Sequence, residues 1–190
     1  MTPRKSPELS IIVPVLNEAA GITAHLAMLA PLRAAGVELL VVDGGSTDAT
    51  MALARPLADT VLSAPRGRAT QMNIGAAHAR GATLLFLHAD TSLPPDAAAH
   101  IKVALAGGNA WGRFDVRISG QHPLLPVVAW AMNQRSRLTG IATGDQALFV
   151  RRTVFEQVGG FPELPLMEDI TLARRLKRHS PPACLRAQVL

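Results

Sequence analysis

Apolar residues in the first half of the chain gather into short, nearly continuous runs, and the segments between them carry helical spacing. Residues 9–15, 38–42 and 84–87 are dominated by Val, Ile, Leu and Phe. Such runs fit strands covered on both faces rather than the in-and-out alternation of a half-exposed sheet. Val61-Leu62 predicts a further short strand. Between the runs, residues 22–35 are spaced as a helix closed by Gly36, and Ser46 or Thr47 is placed to cap a helix over 49–54. An alanine-rich helix is predicted over 69–79, and Pro94-Pro95-Asp96 opens another that reaches residue 105 and stops at Gly107-Gly108. Strand and helix alternating through short links predict an α/β fold with a doubly wound, largely parallel sheet over residues 9–106.

Beyond residue 106 the pattern changes. Residues 111–118 alternate like a half-buried strand, 122–138 suit a helix after a proline-interrupted start, and 147–150 read as a strand. A short helix over 154–158 is ended by Gly159-Gly160, and a helix over 169–178 has Glu168 and Asp169 at its start. The last residues, Val189-Leu190, stand inside an apparent strand, so a C-terminally truncated piece is the expectation. At 190 residues and 48% hydrophobic content, one domain is expected over 9–190. Residues 1–8 form a flexible start, 9–106 a donor half and 107–190 an acceptor half.

The net charge of +5 is carried mostly by isolated arginines or pairs such as Arg151-Arg152. Dense basic blocks with interleaved aromatics are absent, which favours small anionic ligands over nucleic acid. The single Cys184 cannot close an internal disulfide, and residues 1–8 lack a secretory apolar core. Together these predict a cytoplasmic protein. The longest apolar stretch, 124–132, contains Pro126 and falls far short of the roughly 20 residues of a membrane span. It reads as an ordinary buried helix or, flanked by Arg135 and Arg137, as a peripheral membrane contact able to meet a lipid-linked acceptor.

Two of the apolar runs end beside aspartates: Asp43, followed by Gly44-Gly45-Ser46-Thr47-Asp48, and Asp90, preceded by His88-Ala89. Ligands of open α/β sheets bind outside the carboxyl ends of the strands, so the two ends predict one site. Between Asp59 and Asp90 the chain has Arg66, Arg68 and Arg80 and no carboxylate. Arg66-Gly67-Arg68 precedes a helix start, which suits a diphosphate, whereas Arg80 is placed to compensate a helix dipole. Local alternatives stand beside each: an Asx turn at Asp43, a turn at Asn17, a cap at Asp169, core packing for Trp111.

The ordered set Ile11-Ile12-Val13-Pro14-Val15-Leu16-Asn17-Glu18, Val42-Asp43-Gly44-Gly45-Ser46, His88-Ala89-Asp90 and Glu168-Asp169 resembles the family 2 glycosyltransferases of GT-A fold. Gly67-Arg68-Ala69-Thr70-Gln71-Met72-Asn73 and Trp111-Gly112-Arg113-Phe114 are similar to a small bacterial branch of "transferase 2" type found beside radical-SAM and selenium-related genes. The resemblance implies a nucleoside-diphosphate-sugar donor, a divalent metal (Mn2+ or Mg2+) and inverting transfer to an acceptor hydroxyl. It assigns Pro14, Asn17, Glu18 and Asp43 to the nucleoside, with Arg66, Arg68, Asn73 and Ala89 along the rest of the donor. Asp90 matches the last aspartate of the metal-binding element, whose first position is here His88. Asp169 would be the base and Glu168 would orient the acceptor, beside Gly144-Asp145-Gln146. A nucleotidyltransferase or a dinucleotide oxidoreductase lacks support, because neither a glycine- and arginine-rich loop nor a G-x-G-x-x-G follows the first strand. A nucleotide-sugar-binding protein without transfer is the remaining alternative.

Overall fold

The computed structural model describes residues 6–164 and 166–190. Of the expected flexible start, residues 1–5 lie outside that range, while the Glu8 carbonyl accepts a hydrogen bond from the Thr83 amide at 3.0 Å. Elements follow in the order β1 (Leu9–Val15), α1 (Ile22–Met28), α2 (Ala30–Ala34), β2 (Glu38–Asp43), α3 (Thr50–Ala54), β3 (Thr60–Ser63), α4 (Arg68–His78), β4 (Thr83–Phe86) and α5 (Ala97–Ala106). The second half adds β5 (Trp111–Val116), α6 (Leu125–Thr139), a 3-10 turn (Gly144–Gln146), β6 (Phe149–Arg151), α7 (Arg152–Gln157), α8 (Glu168–Leu176) and β7 (Ala183–Val189).

One seven-stranded sheet runs through both halves in the order β3-β2-β1-β4-β6-β5-β7. The β1–β2, β1–β4, β2–β3 and β5–β7 pairs are parallel, and β6 lies antiparallel between β4 and β5. The pleat divides the core into two layers. Ile11, Val13 and Val15 join one cluster with Leu26 of α1 and Ile101 of α5, while Ile12, Leu40 and Val42 join another with Met72 of α4 and Leu172 of α8. This is the α/β, largely parallel arrangement expected from the sequence.

Three details differ from the sequence expectation. The helix predicted over 22–35 is divided at Leu29, because Pro31 has no N–H to donate to the turn before it. Strand β5 is buried at all six positions, not on alternate faces, since β6 and β7 flank it and α5 and α6 pack on it. Its polar residues are therefore internal: fully buried Arg113 donates to Ser136 Oγ at 3.0 Å, to the Asn133 carbonyl at 3.1 Å and to Asp115, which also takes Arg137. Trp111 is core, with its indole N–H on the Ser180 carbonyl at 2.9 Å. The third difference is α6. It buries Ala129, Asn133 and Ser136 while Leu124, Val127, Val128 and Trp130 are exposed, so it is not the ordinary buried helix that its composition predicts.

Candidate functional site

The loops after β1 and β2 are fastened to each other at the carboxyl edge of the sheet. Asn17, in the left-handed region at φ +55°, accepts the Thr47 amide at 2.9 Å, and its own amide donates to Ser46 Oγ at 2.8 Å. The Glu18 amide donates to Thr50 Oγ1 at 2.8 Å and the Ala19 amide to Asp48 at 3.1 Å. Hydrogen bonds from the Thr50 hydroxyl and amide hold the Asp48 carboxyl below its ordinary range. Asp43 is buried, and its carboxylate accepts the Gly45 and Ser46 amides at 3.0 and 2.9 Å and the Ser46 hydroxyl. Asn17 and Asp43 thus take the turn-forming geometry their residue types allow, and neither lines the adjacent cavity.

That cavity, about 440 Å³, is bounded by Pro14 and Glu18 after β1, Arg66 and Arg68 at the start of α4, His88, Ala89 and Asp90 after β4, and Glu168 at the start of α8. Gly67, at φ +146°, turns the chain between the two arginines, a conformation that suits glycine. Gln71 is buried, lines the cavity and donates to the Val15 and Val42 carbonyls at 2.9 and 2.7 Å, tying the ends of β1 and β2 together. Arg68 approaches buried Glu168 at 4.0 Å. A larger cavity of about 670 Å³, walled by Leu9, Val37, Ile101 and Leu105, lies at the amino ends of the strands. It is mostly apolar, and of its charged residues Lys102 pairs with Glu8 at 2.9 Å while Arg151 donates to the Leu105 carbonyl at 2.6 Å.

Of the residues that the resemblance assigns to the acceptor side, Gly144, Glu168 and Asp169 meet at a second, narrow crevice, lined also by Phe86, His88 and Phe161. Asp169 occupies the second position of α8 and accepts the Gly144 amide at 2.6 Å and the Ile170 amide at 2.7 Å. The helix cap is Met167, at φ +65°, so capping does not account for Asp169. His88 Nδ1 lies 3.4 Å from Asp145 Oδ1, and its ring packs so closely on Gly144 that a methyl group there would collide with it. The His88 hydrogen bond, against the opposing effect of burial, holds the Asp145 carboxyl below its ordinary value, aided by the charges of His88 and Arg68. No spacing in the sequence links His88 to Asp145. Gln146 is buried and donates to Asn133 Oδ1 at 3.3 Å. Asn73 pins the Phe161 backbone at 2.8 and 2.9 Å and is not part of the cavity lining. Arg80 pairs with Glu38 at 2.6 Å, at the opposite edge of the sheet.

Among the described residues no three His, Cys, Asp or Glu side chains could hold a metal ion by themselves. Asp90 is exposed on the cavity wall, with Oδ1 taking the Thr91 hydroxyl at 3.2 Å. An exposed carboxylate on a wall shared with Arg66 and Arg68 fits a hard cation that completes its shell with phosphate oxygens and water. Burial lowers the pKa of neighbouring His25, against the pull of the Asp90 charge.

The family model described as "Glycosyl transferase family 2" matches residues 10–159. The PGL/p-HBAD biosynthesis glycosyltransferase of Mycobacterium bovis BCG is 40% identical over 95 residues, which cover 46% of this chain and 37% of that protein. The chain therefore spans little more than a third of that relative. Among solved structures, the mannosyltransferase PcManGT of Pyrobaculum calidifontis, in complex with GDP-Man and Mn2+, superposes with a TM-score of 0.74 at 22% identity, covering 97% of this chain and 56% of that one. Glucosyl-3-phosphoglycerate synthase of Mycobacterium tuberculosis, in complex with Mn2+, UDP and glucosyl-3-phosphoglycerate, gives 0.72 at 18% identity, covering 96% and 70%.

Proposed function

We propose, for a chain that belongs to glycosyl transferase family 2, that it moves a sugar from a nucleoside diphosphate to an acceptor hydroxyl, inverting the anomeric centre with the aid of Mn2+ or Mg2+. The observation that carries this reading is that His88 and Glu168 line both the 440 Å³ cavity bordered by Arg66 and Arg68 and the crevice holding Asp169. A donor in the first therefore has the base of the second at its sugar end. The neighbours solved with GDP-Man or UDP together with Mn2+ support the donor class and the cation.

In this reading Pro14, Glu18 and Ala89 form the nucleoside wall, whose loops Asn17 and Asp43 hold in shape. Arg66 and Arg68, with the amino end of α4, bind the diphosphate, since guanidinium forks and helix amides both match phosphate oxygens. Asp90 holds the cation jointly with the donor, and when bound that ion supplies Lewis-acid stabilisation of the departing diphosphate. Asp169 accepts two backbone amides; a carboxylate offers about four lone-pair sites, so acceptor capacity remains for the hydroxyl proton. The Gly144 amide fixes the direction of Asp169, and Glu168 and Asp145 orient the acceptor around it. A single base without a second carboxylate placed as nucleophile corresponds to a one-step, inverting displacement.

Two variants separate binding from chemistry. Asp169→Asn should lower kcat by about 100-fold or more while calorimetric titration with UDP-, GDP- and dTDP-sugars finds donor affinity nearly unchanged. Asp90→Ala should lose the part of donor affinity that depends on Mn2+. Full transfer by Asp169→Asn would remove the base assignment, and donor binding without transfer in the unmodified protein would favour a binding protein.

A further inference from the structure

The apolar stripe of α6 faces away from the protein. Positions 124, 127, 128, 131, 135 and 138 are all exposed and recur at the three-and-four spacing of one helical face. They carry Leu124, Val127, Val128, Ala131, Arg135 and Leu138, with Trp130 beside them at 63% exposure and Leu138 at 86%. The inward face holds Ala129, Asn133 and Ser136 instead, fastened to β5 by the hydrogen bonds of Asn133 to Val116 (2.9 and 3.0 Å) and of Arg113 to Ser136. Polar bonds, with Ala129 and Met132 packed on the core, thus secure the helix to the sheet and leave Leu124, Val127, Val128 and Leu138 in water. A contiguous apolar face of this kind marks an interaction surface.

We propose that this face seats the protein on an anionic phospholipid bilayer. Charge decides the occupant. Between Asp115 and Asp145 the sequence contains no acidic residue and has Arg117, Arg135 and Arg137. Arg137 is engaged by Asp115, but Arg117, Arg135 and Arg186 are exposed, and Arg117 and Arg186 border, with Trp130, a groove along the helix flank. A second copy docked by two-fold symmetry would bring both copies of Arg135 into one interface with no carboxylate on the face to offset them. A lipid surface matches every component: Leu and Val side chains enter the acyl boundary, Trp130 lies at headgroup level, and the arginines meet phosphates. From α6 the chain runs through Gly140 directly to the Gly144–Gln146 turn, so the seated face is one short connection from the acceptor side. The inference concerns a surface outside the cavity and stands whether or not the transfer reading holds.

Sedimentation with phosphatidylcholine vesicles, with and without phosphatidylglycerol, tests it. The protein should pellet with the anionic vesicles, be released by salt, and shift its tryptophan emission to shorter wavelength, a signal from Trp130 because Trp111 is already buried. Val128→Asp, at an exposed position and with an unchanged thermal midpoint, should abolish both effects without altering donor titration. Arg117→Gln and Arg135→Gln should each weaken vesicle affinity about fivefold. Equal or absent binding to the two vesicle types would overturn the proposal, as would a dimer in ultracentrifugation that Val128→Asp dissociates.

Discussion

Glu38 opens β2 with its carboxylate buried beneath Arg80. Burial pushes this carboxyl up, but the Ser10 hydroxyl at 2.6 Å, the Arg80 amide at 2.7 Å and the Arg80 guanidinium together outweigh it and hold it below its ordinary value. A folded-state pKa below the unfolded one means that the stabilisation is complete above the ordinary carboxylate range and lost as pH falls through the folded value. Glu38→Gln should therefore lower the thermal midpoint at neutral pH and flatten its decline in acid; parallel acid curves for the two proteins would rule Glu38 out as a source. The single-residue reading of the site was uneven for a related reason. Arg66 and Arg68 were legible because a basic pair before a helix start has local meaning, and they do border the cavity. Asp43 and Asn17 were read as ligands with a turn as the alternative, and only the amides surrounding them show that the turn is present.

At the scale of elements, periodicity reported helix or strand faithfully but not the environment around it. The alternation over 111–118 and the helical spacing over 122–138 both correspond to real elements. Their faces were not legible, because a buried ion network on β5 lets α6 turn Asn133 and Ser136 inward and its valines outward. The arrangement has a measurable consequence. Asp115→Ala would leave fully buried Arg113 without its carboxylate, and removing one partner of a buried pair typically costs about 3–5 kcal/mol. Denaturant unfolding should show a loss of that order, and a loss no larger than that of a surface substitution would mean that α6 is held by other contacts.

Across the whole molecule, the site is assembled by strand order. Placing β6 antiparallel beside β4, with Leu85 opposite Phe149 and the Phe86 amide on the Leu148 carbonyl at 2.9 Å, carries the 144–146 turn to His88. The absence of an all-protein metal cage among the described residues predicts how the molecule responds to chelation. EDTA should leave the thermal midpoint of the donor-free protein unchanged and abolish the rise that donor and Mn2+ produce together. A fall in the donor-free midpoint would show instead a structural ion.

By itself the sequence determined the α/β class, the strands buried on both faces, the basic helix start, and the two aspartates beside strand ends from which a single site was expected. Each of these depends on residues within a few positions of one another, where pleat, helical turn and charge act directly. The tertiary structure alone decided that Asp43 shapes its own loop while Asp90 faces the cavity, that His88 pairs with Asp145, and that the apolar stripe of α6 lies outside. Those outcomes depend on which distant groups share a low-dielectric interior, and sheet order sets that.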